Sequence, residues 1–294
     1  MPELPDVVVY IERLQALVGG QVLQRIRVGG PSVLRTYDPP LPAVEGKTVT
    51  GFRRIGKRIV FELEEDLFVI VHLMISGRLR WRKPGAPLVR KRGLAAFDFP
   101  AGTVLFTEEG TSKRASIHIV RGEEALADHD RGGYEPFDMS VDEMAEALRR
   151  ERHTLKRSLT DAHLISGVGG AYADEIMHRA KVSPMARTDR LSEEEIARLH
   201  AATRDVLAEW VERLRAEVGD GFPEKVTAFH DEMAVHGKFG RPCPVCGAPV
   251  QRIVYASNET NYCPGCQTGG KILADRALSR LLKDDFPQTL EELE

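Results

Sequence analysis

The sequence predicts an α+β multidomain protein: a β-sandwich or barrel flanked by an N-terminal helix, then a helical domain, then a small cysteine-bearing β-ribbon. Three observations carry this reading. Short β-rich runs separated by turn residues fill residues 21 to about 120. Beyond about residue 140 the apolar residues recur at helical spacing instead. Near the C-terminus stand two Cys-x-x-Cys pairs, Cys243/Cys246 and Cys263/Cys266, with sixteen residues between them.

Composition sets the frame. Apolar residues make up 42% and charged residues 29% of the 294, the balance of a soluble globular chain with room for about two domains. No apolar run approaches the ~20 residues of a membrane span. The N-terminus lacks the charged-then-apolar pattern of a signal peptide, so a cytoplasmic address with reduced thiols is expected. The net charge of −3 conceals a local imbalance. Arg53, Arg54, Lys57 and Arg58 lie within six acid-free residues, and Arg78 to Arg92 holds seven basic residues and again no acid. The balancing acids sit at Glu193 to Glu195 and after Asp284. A basic face on a mildly acidic protein suits a polyanion, and a merely solvated charged face is the competing reading.

At the N-terminus, Met1-Pro2-Glu3-Leu4-Pro5-Asp6 reads at first sight as a stiff, proline-rich tail. Removal of Met1, which a small second residue permits, would make Pro2 a secondary amine. An α-amino group titrates near pH ~8, so a useful fraction is neutral at physiological pH. Attack by a secondary amine on a sugar C1′ or aldehyde gives an iminium directly. Glu3 beside it can carry a proton. Val7, Val8, Ile11, Leu14, Leu17 and Val18 then predict a helix over 6 to 18, with Asp6 as N-cap and Gly19-Gly20 as its stop.

Strands are predicted at Val22–Val28, Thr48–Arg53, Arg58–Leu63, Leu67–Leu73, Leu79–Arg82, Leu94–Phe99, Val104–Thr107 and Ser116–Val120, with turns such as Glu65-Asp66 and Ala101-Gly102 between them. Lys57 ends the basic turn before one of these strands, where phosphate contact is a better reading than a solvated lysine. Residues 121 to about 139 form a Gly-, Asp- and Pro-bearing linker. Helices follow from the Ser140 cap to about Arg150, then over Thr154–Thr160, Ala171–Ala180, Ser192–Glu217 and approximately Phe222–Ala234. Ser192 and Glu195 make a capping box for the fourth. The Gly-rich turn Ile165–Tyr172 opens the third helix and could present free N–H groups to a phosphate, although most such turns are only turns.

The two Cys-x-x-Cys knuckles predict one structural zinc ion held by Cys243, Cys246, Cys263 and Cys266. Four protein thiolates leave no open position for water. A redox motif or a rubredoxin-like iron site is the minor alternative. Val250–Ala256 and Asn261-Tyr262 read as the ribbon strands, Leu273–Lys283 as a last helix, and the acidic tail as frayed.

Taken together, the PELPDV start, RRIGKR around Lys57, HLMISGRL at 72 to 79, LKRSL with ISGVGGAYADE at 155 to 175, and HGKFGRPCPVCG with YCPGCQ resemble the formamidopyrimidine-DNA glycosylase/endonuclease VIII family. The landmarks stand in the family's order and cover the chain to about residue 270. The resemblance implies a catalytic β-sandwich domain (1–131), a helix-two-turn-helix DNA-binding domain (132–236), a zinc-ribbon finger (237–270) and a C-terminal extension (271–294). It implies a monomeric, nucleoid-associated DNA repair enzyme that binds damaged, abasic or partly single-stranded DNA. Such an enzyme excises a damaged base and cuts the strand by β,δ-elimination. By motif position Pro2 would be the nucleophile, Glu3 the proton donor to the sugar, and Lys57 the group holding a nearby phosphate or aiding proton transfer.

Several positions depart from the family pattern. Asp6 replaces the usual Glu, in a supporting role to Pro2 and Glu3. Ile75 stands where a void-filling Met is usual, and the Arg-Arg-Phe wedge gives way to residues 108–114, with Lys113 and Arg114. Gly170 and Asn258 replace a phosphate-binding Asn and Arg. The N-terminal chemistry is thus kept while the grip on duplex DNA is altered, as in a divergent member whose lesion is not legible. Two rival readings are a DNA-binding protein of the same fold that has lost catalysis, and a zinc-ribbon protein binding RNA or a protein. The second leaves the PELPD segment without a role.

Overall fold

The computed structural model describes residues 1–110, 112–255, 258–273, 280–281 and 286–293. Two compact units emerge: Met1–Arg131 with Ala208–Ala228, and Gly132–Leu207 with Phe229–Glu294.

The first unit opens with helix α1 (Leu4–Val18). The helix starts two residues earlier than the apolar spacing suggests, and its N-cap is Glu3, not Asp6. Pro5 falls in the first turn, where a missing N–H costs nothing. Strands follow as β1 (Val22–Leu23), β2 (Arg25–Val28), β3 (Lys47–Ile55), β4 (Arg58–Leu63), β5 (Leu67–His72), β6 (Gly77–Arg82), β7 (Gly93–Asp98), β8 (Thr103–Glu108) and β9 (Ser116–Arg121). They form two antiparallel sheets, ordered β1-β3-β4-β5-β9 and β2-β7-β8-β6. The run Val22–Val28, expected as one strand, breaks at Gln24, whose N–H bonds to Asp98 O. Its two halves thereby join different sheets.

One core lies between the sheets. It takes Phe61, Val69 and Ile117 from the first, and Phe97, Val104 and Phe106 from the second. The rings of Phe61 and Phe97 stack at 5.3 Å. From α1 come Val7, Tyr10, Leu14 and Val18, all fully buried. At roughly 2 kcal/mol for each such side chain, their burial can offset the several kcal/mol that burying a carboxylate costs at the helix start. A short helix, α2 (Glu123–Ala127), stands inside the expected linker. Its Leu126 packs on Val60, Phe68, Ile70 and Val120 on the outer face of the five-stranded sheet.

The second unit contains α3 (Val141–Arg149), α4 (Leu155–Thr160), α5 (Gly170–Ala180) and the first half of α6 (Glu193–Val218), which continues into the first unit. Ser140 caps α3, as expected, and does so through a capping box with Glu143. The ribbon strands are β10 (Gln251–Tyr255) and β11 (Asn258–Tyr262), closed by α7 (Pro264–Gln267).

The helix expected over Phe222–Ala234 does not form. Pro223 lacks an N–H, and the backbone there is bonded by side chains: Val226 O accepts from Arg78 Nε, and the Glu175 carboxylate accepts the N–H groups of Ala234, Val235 and His236. The expected helix Leu273–Lys283 falls for the most part outside the described residues. Where the sequence predicts a frayed tail, the described residues 286–293 are tied down: Phe286 is buried, and Ile272 and Leu290 bond to Gln288 O and Gly270 O. Among the described residues no helix is long and apolar enough to cross a membrane.

Candidate active site and nucleic-acid interface

In the first unit, the N-terminus and the β3–β4 turn supply one electrostatic cluster. Pro2 and Glu3 are buried by the packing of α1, and so is Asp6. Asp6 Oδ2 accepts the Glu3 N–H at 2.8 Å, the return half of a capping box. The Met1 amine is half-buried, and burial lowers its pKa. It also feels the charges of Glu3, Arg78, Asp6 and Lys57. Burial likewise lowers the Lys57 ammonium, against the pull of Glu3. Burial raises the Asp6 carboxyl to about 7, since the single N–H from Glu3 recovers little of its lost hydration. Losing Met1 would leave the Pro2 nitrogen at the head of this cluster. A cavity of about 210 Å³ opens beside Asp6, lined also by Val9, Phe222 and Glu224.

Arg78 was legible only as part of a basic run. It is turned inward, donating to Val226 O at 2.8 Å and Gly77 O at 2.7 Å, and its charge reaches Asp6 and Tyr10. Three of the other six cations of that run are paired with distant acids. Arg80 meets Glu109 and Glu224, Arg82 meets Glu224 at 2.7 Å, and Arg92 meets Glu109 at 2.9 Å. Arg53 is bound by Glu62 and Glu123.

Ile75 is exposed, and the loop beside it is tied to its neighbour: Gly110 N donates to Ser76 Oγ at 3.2 Å. Glu108, fully buried, closes this loop by accepting the N–H groups of Arg114 and Ala115, while Lys113 Nζ donates to Glu108 O. Residue 111 lies outside the described residues. Ile75, Lys113 and Arg114 therefore belong to one exposed feature.

In the second unit the structure brings Gly170 and the ribbon strand of Asn258 together through Lys156. Its Cε lies 4.0 Å from where a Gly170 Cβ would be, and its Nζ donates to Glu259 O at 2.7 Å. Lys156 is also paired with Asp174 at 2.8 Å, which in turn holds His236 at 2.9 Å. Lys156 escaped sequence reasoning, because a lysine inside a helix carries no signal of what faces it.

The four cysteine sulfurs converge. Cys246 Sγ is 3.3 Å from Cys263 Sγ, and Cys243 Sγ is 3.9 Å from Cys266 Sγ. Four sulfurs around one zinc at ~2.3 Å stand about 3.8 Å apart, so the thiols fit the ion. His178 was not anticipated: its Nε2 lies 3.3 Å from Cys243 Sγ, and with Cys243, Cys263 and Cys266 it forms a group whose ligand atoms lie within 4.8 Å of one another. As the fifth candidate it is placed to donate an N–H to a thiolate already held.

Comparison with known proteins agrees with this architecture. Residues 1–111 match the formamidopyrimidine-DNA glycosylase N-terminal domain, 133–219 the formamidopyrimidine-DNA glycosylase H2TH domain, and 240–269 the zinc finger found in FPG and IleRS. The formamidopyrimidine-DNA glycosylase of Thermus thermophilus is 33% identical over 282 residues, covering 92% of this chain and 100% of that one. The chain belongs to the formamidopyrimidine-DNA glycosylase family. An uncharacterized formamidopyrimidine-DNA glycosylase-like protein of Mycobacterium tuberculosis is 42% identical over 151 residues, 51% of this chain and 94% of that protein. Lactococcus lactis Fpg in complex with DNA containing an abasic site superposes with a TM-score of 0.79 at 27% identity, covering 90% of this chain and 99% of that one. The family's zinc finger and the four converging thiols give the chain one structural zinc.

Proposed function

We propose that this member of the family is a DNA repair glycosylase and abasic-site lyase acting through Pro2. The observation that carries the proposal is the convergence of the chain's N-terminus, Glu3, Asp6 and Lys57 in a largely buried cluster, where burial already lowers the Met1 amine and where removal of Met1 would leave the Pro2 nitrogen. A neutral amine is the nucleophilic form. Its lone pair bonds to C1′ while the bond from C1′ to the base breaks; the base leaves with the electron pair and takes up the proton that the Pro2 nitrogen sheds. Glu3 delivers a proton to the sugar ring oxygen, which opens the ring and leaves an iminium between Pro2 and C1′. Loss of a C2′ proton then expels the 3′ phosphate, and a second elimination expels the 5′ phosphate. The cavity beside Asp6 gives an extruded base somewhere to go.

Lys57 would hold a phosphate beside the lesion or assist a proton transfer. Ile75, Lys113 and Arg114 would meet the DNA from the first unit; Gly170, Asn258 and the unforeseen Lys156 would meet it from the second. Cys243, Cys246, Cys263 and Cys266 would hold the zinc, with His178 bonding to the first of them. The division into catalytic, helix-two-turn-helix, zinc-ribbon and C-terminal regions belongs to the same proposal.

The test is incubation of the mature protein with an abasic-site oligonucleotide and borohydride, which reduces an iminium to a stable amine. A covalent adduct is expected. Its absence, with the oligonucleotide bound but uncut, would favour the rival reading of a DNA-binding protein without catalysis.

A further inference from the structure

We propose that Arg58, His118 and His129 form a second phosphate site on the outer face of the five-stranded sheet, taking a backbone phosphate of the strand held at Lys57. The proposal rests on the reading of the first unit as DNA-handling.

Strand register places the groups. Arg58, His72 and Ser116 stand in one cross-strand row, and Val60, Ile70 and His118 in the next. Directly opposite residues share a face of the sheet. That face is divided. Its apolar part, Val60, Phe68, Ile70 and Val120, lies under Leu126 of α2. Its polar part begins at Arg58 and His72. The chain leaving α2 lays His129 against His118, with ring centroids 4.8 Å apart in an edge-on arrangement. Arg58 NH1 donates to His129 O at 3.0 Å, and Ser116 Oγ lies 3.4 Å from His118 Nε2. All three side chains are half-buried, so they are held in place without being sealed from solvent.

The bland explanation is that two imidazoles merely finish the packing of the sheet. The surrounding charge argues otherwise. Burial is the first cause that holds His72 and His118 at about 4 and His129 below its ordinary value. Positive charge follows: His129 first and then Arg58 and Arg35 on His118, Arg58, Lys57, His118 and Arg131 on His72, and Arg58 on His129. Asp128 beside His129 and Asp130 beside Arg58 oppose this, and both are exposed. Two neutral imidazoles each keep one N–H donor. Beside a guanidinium they make a cluster of donors in a positive field, which a phosphate oxygen would satisfy with charge-assisted hydrogen bonds. Lys57 and Arg58 both act on His72, so the two cations lie within reach of one stretch of DNA strand.

The test uses the full-length zinc-loaded protein, a fluorescent single-stranded oligonucleotide without damage, and inorganic phosphate as a separate probe. The oligonucleotide is expected to move the ring nitrogen signals of His118 and His129 in NMR spectra. The double variant His118→Leu/His129→Leu, which keeps an apolar packed pair, should bind it roughly fivefold more weakly per hydrogen bond lost. Arg58→Gln should reduce the salt slope by about 0.7, one contact on a single strand. Zinc content and unfolding midpoint verify that the variants fold. Ring signals unmoved by saturating oligonucleotide, while Lys57→Ala still weakens binding, would overturn this site and leave the DNA reading standing. Signals that respond to inorganic phosphate but not to the oligonucleotide would overturn it too, since the site would then take a free anion. Failure to bind any oligonucleotide would sink the DNA reading itself, and this site with it.

Discussion

The Asp6 carboxylate accepts the backbone N–H of Glu3 at 2.8 Å, so the residue that caps the first helix is held by the residue three places on. That bond fixes the backbone of Glu3 one residue from the proposed nucleophile. It also buries a carboxyl whose pKa rises, chiefly by desolvation, to about 7.

The pH dependence of stability follows with a definite sign. An acid whose folded pKa lies above its unfolded value keeps its proton longer in the native state. The stability it contributes is complete below about pH 4 and is lost as pH rises through about 7. The loss is on the order of 4 kcal/mol at most, at 1.36 kcal/mol for each unit of pKa. Asp6→Asn keeps an oxygen for the Glu3 N–H and removes the titration. Denaturant midpoints at pH 5 and pH 8 should differ more in the natural protein than in the variant; equal differences would show that Asp6 is ionised throughout.

Pro2→Gly leaves a primary amine in the same place, so borohydride trapping should weaken without vanishing. Retention of Met1 should abolish it. Peptide mapping should place the adduct on residue 2, and an adduct on a lysine would refute the role of Pro2.

Cys263→Ser removes one of four thiolates. A structural zinc in a small finger is coupled to folding by about 10–16 kcal/mol of apparent binding energy. The variant should lose zinc and the order of the ribbon, and bind DNA less well, while the β-sandwich persists. The checks are metal analysis and hydrogen exchange resolved by region. Full zinc occupancy in the variant would mean that Cys263 is not a ligand.

The basic run from Arg78 to Arg92 offers fewer charges to DNA than its composition suggests, because Glu109 and Glu224 already hold Arg80, Arg82 and Arg92. Neutralising Arg80, Arg82 and Arg92 together should change the salt dependence of duplex binding little. Lys57→Ala should reduce the slope by nearly one. Equal losses from both variants would show that the ion pairs open on DNA.

Extruding a paired base costs a few kcal/mol, least where the base is already unpaired. Ile75 fills less of the resulting hole than a Met, and among the described residues the loop beside it presents no aromatic side chain. Single-turnover cleavage of one lesion should therefore be faster in a bubble or single strand than in duplex. The ratio is expected to be about tenfold for each 1.4 kcal/mol of unmet cost. Ile75→Met should narrow the gap by speeding duplex cleavage. A duplex preference at matched salt would mean that another residue acts as the wedge.

Much of this molecule is local in origin and hence legible in the sequence. The short β-rich runs between turns, the Ser140 cap and the cysteine spacing arise between residues a few positions apart, and the structure shows each of them. Local signals also misled where partners were distant. The stretch after Phe222 looks helical, but Arg78 and Glu175 bond its backbone instead. Seven cations without a nearby acid look like an open basic face, until folding brings acids from residues 109 and 224. His178 meets Cys243 across 65 positions, Lys156 meets Glu259 across 103, and His118 meets His129 only because α2 turns the chain back over the sheet. By itself the sequence determined most of the strands and helices, the paired cysteine knuckles and the Pro2-Glu3 start of the chain, because short-range periodicity and residue spacing encode them. Which charges remain available, which histidines touch, and what surrounds the amine were decided only by the tertiary structure, because long-range pairing and burial set the electrostatics of each group.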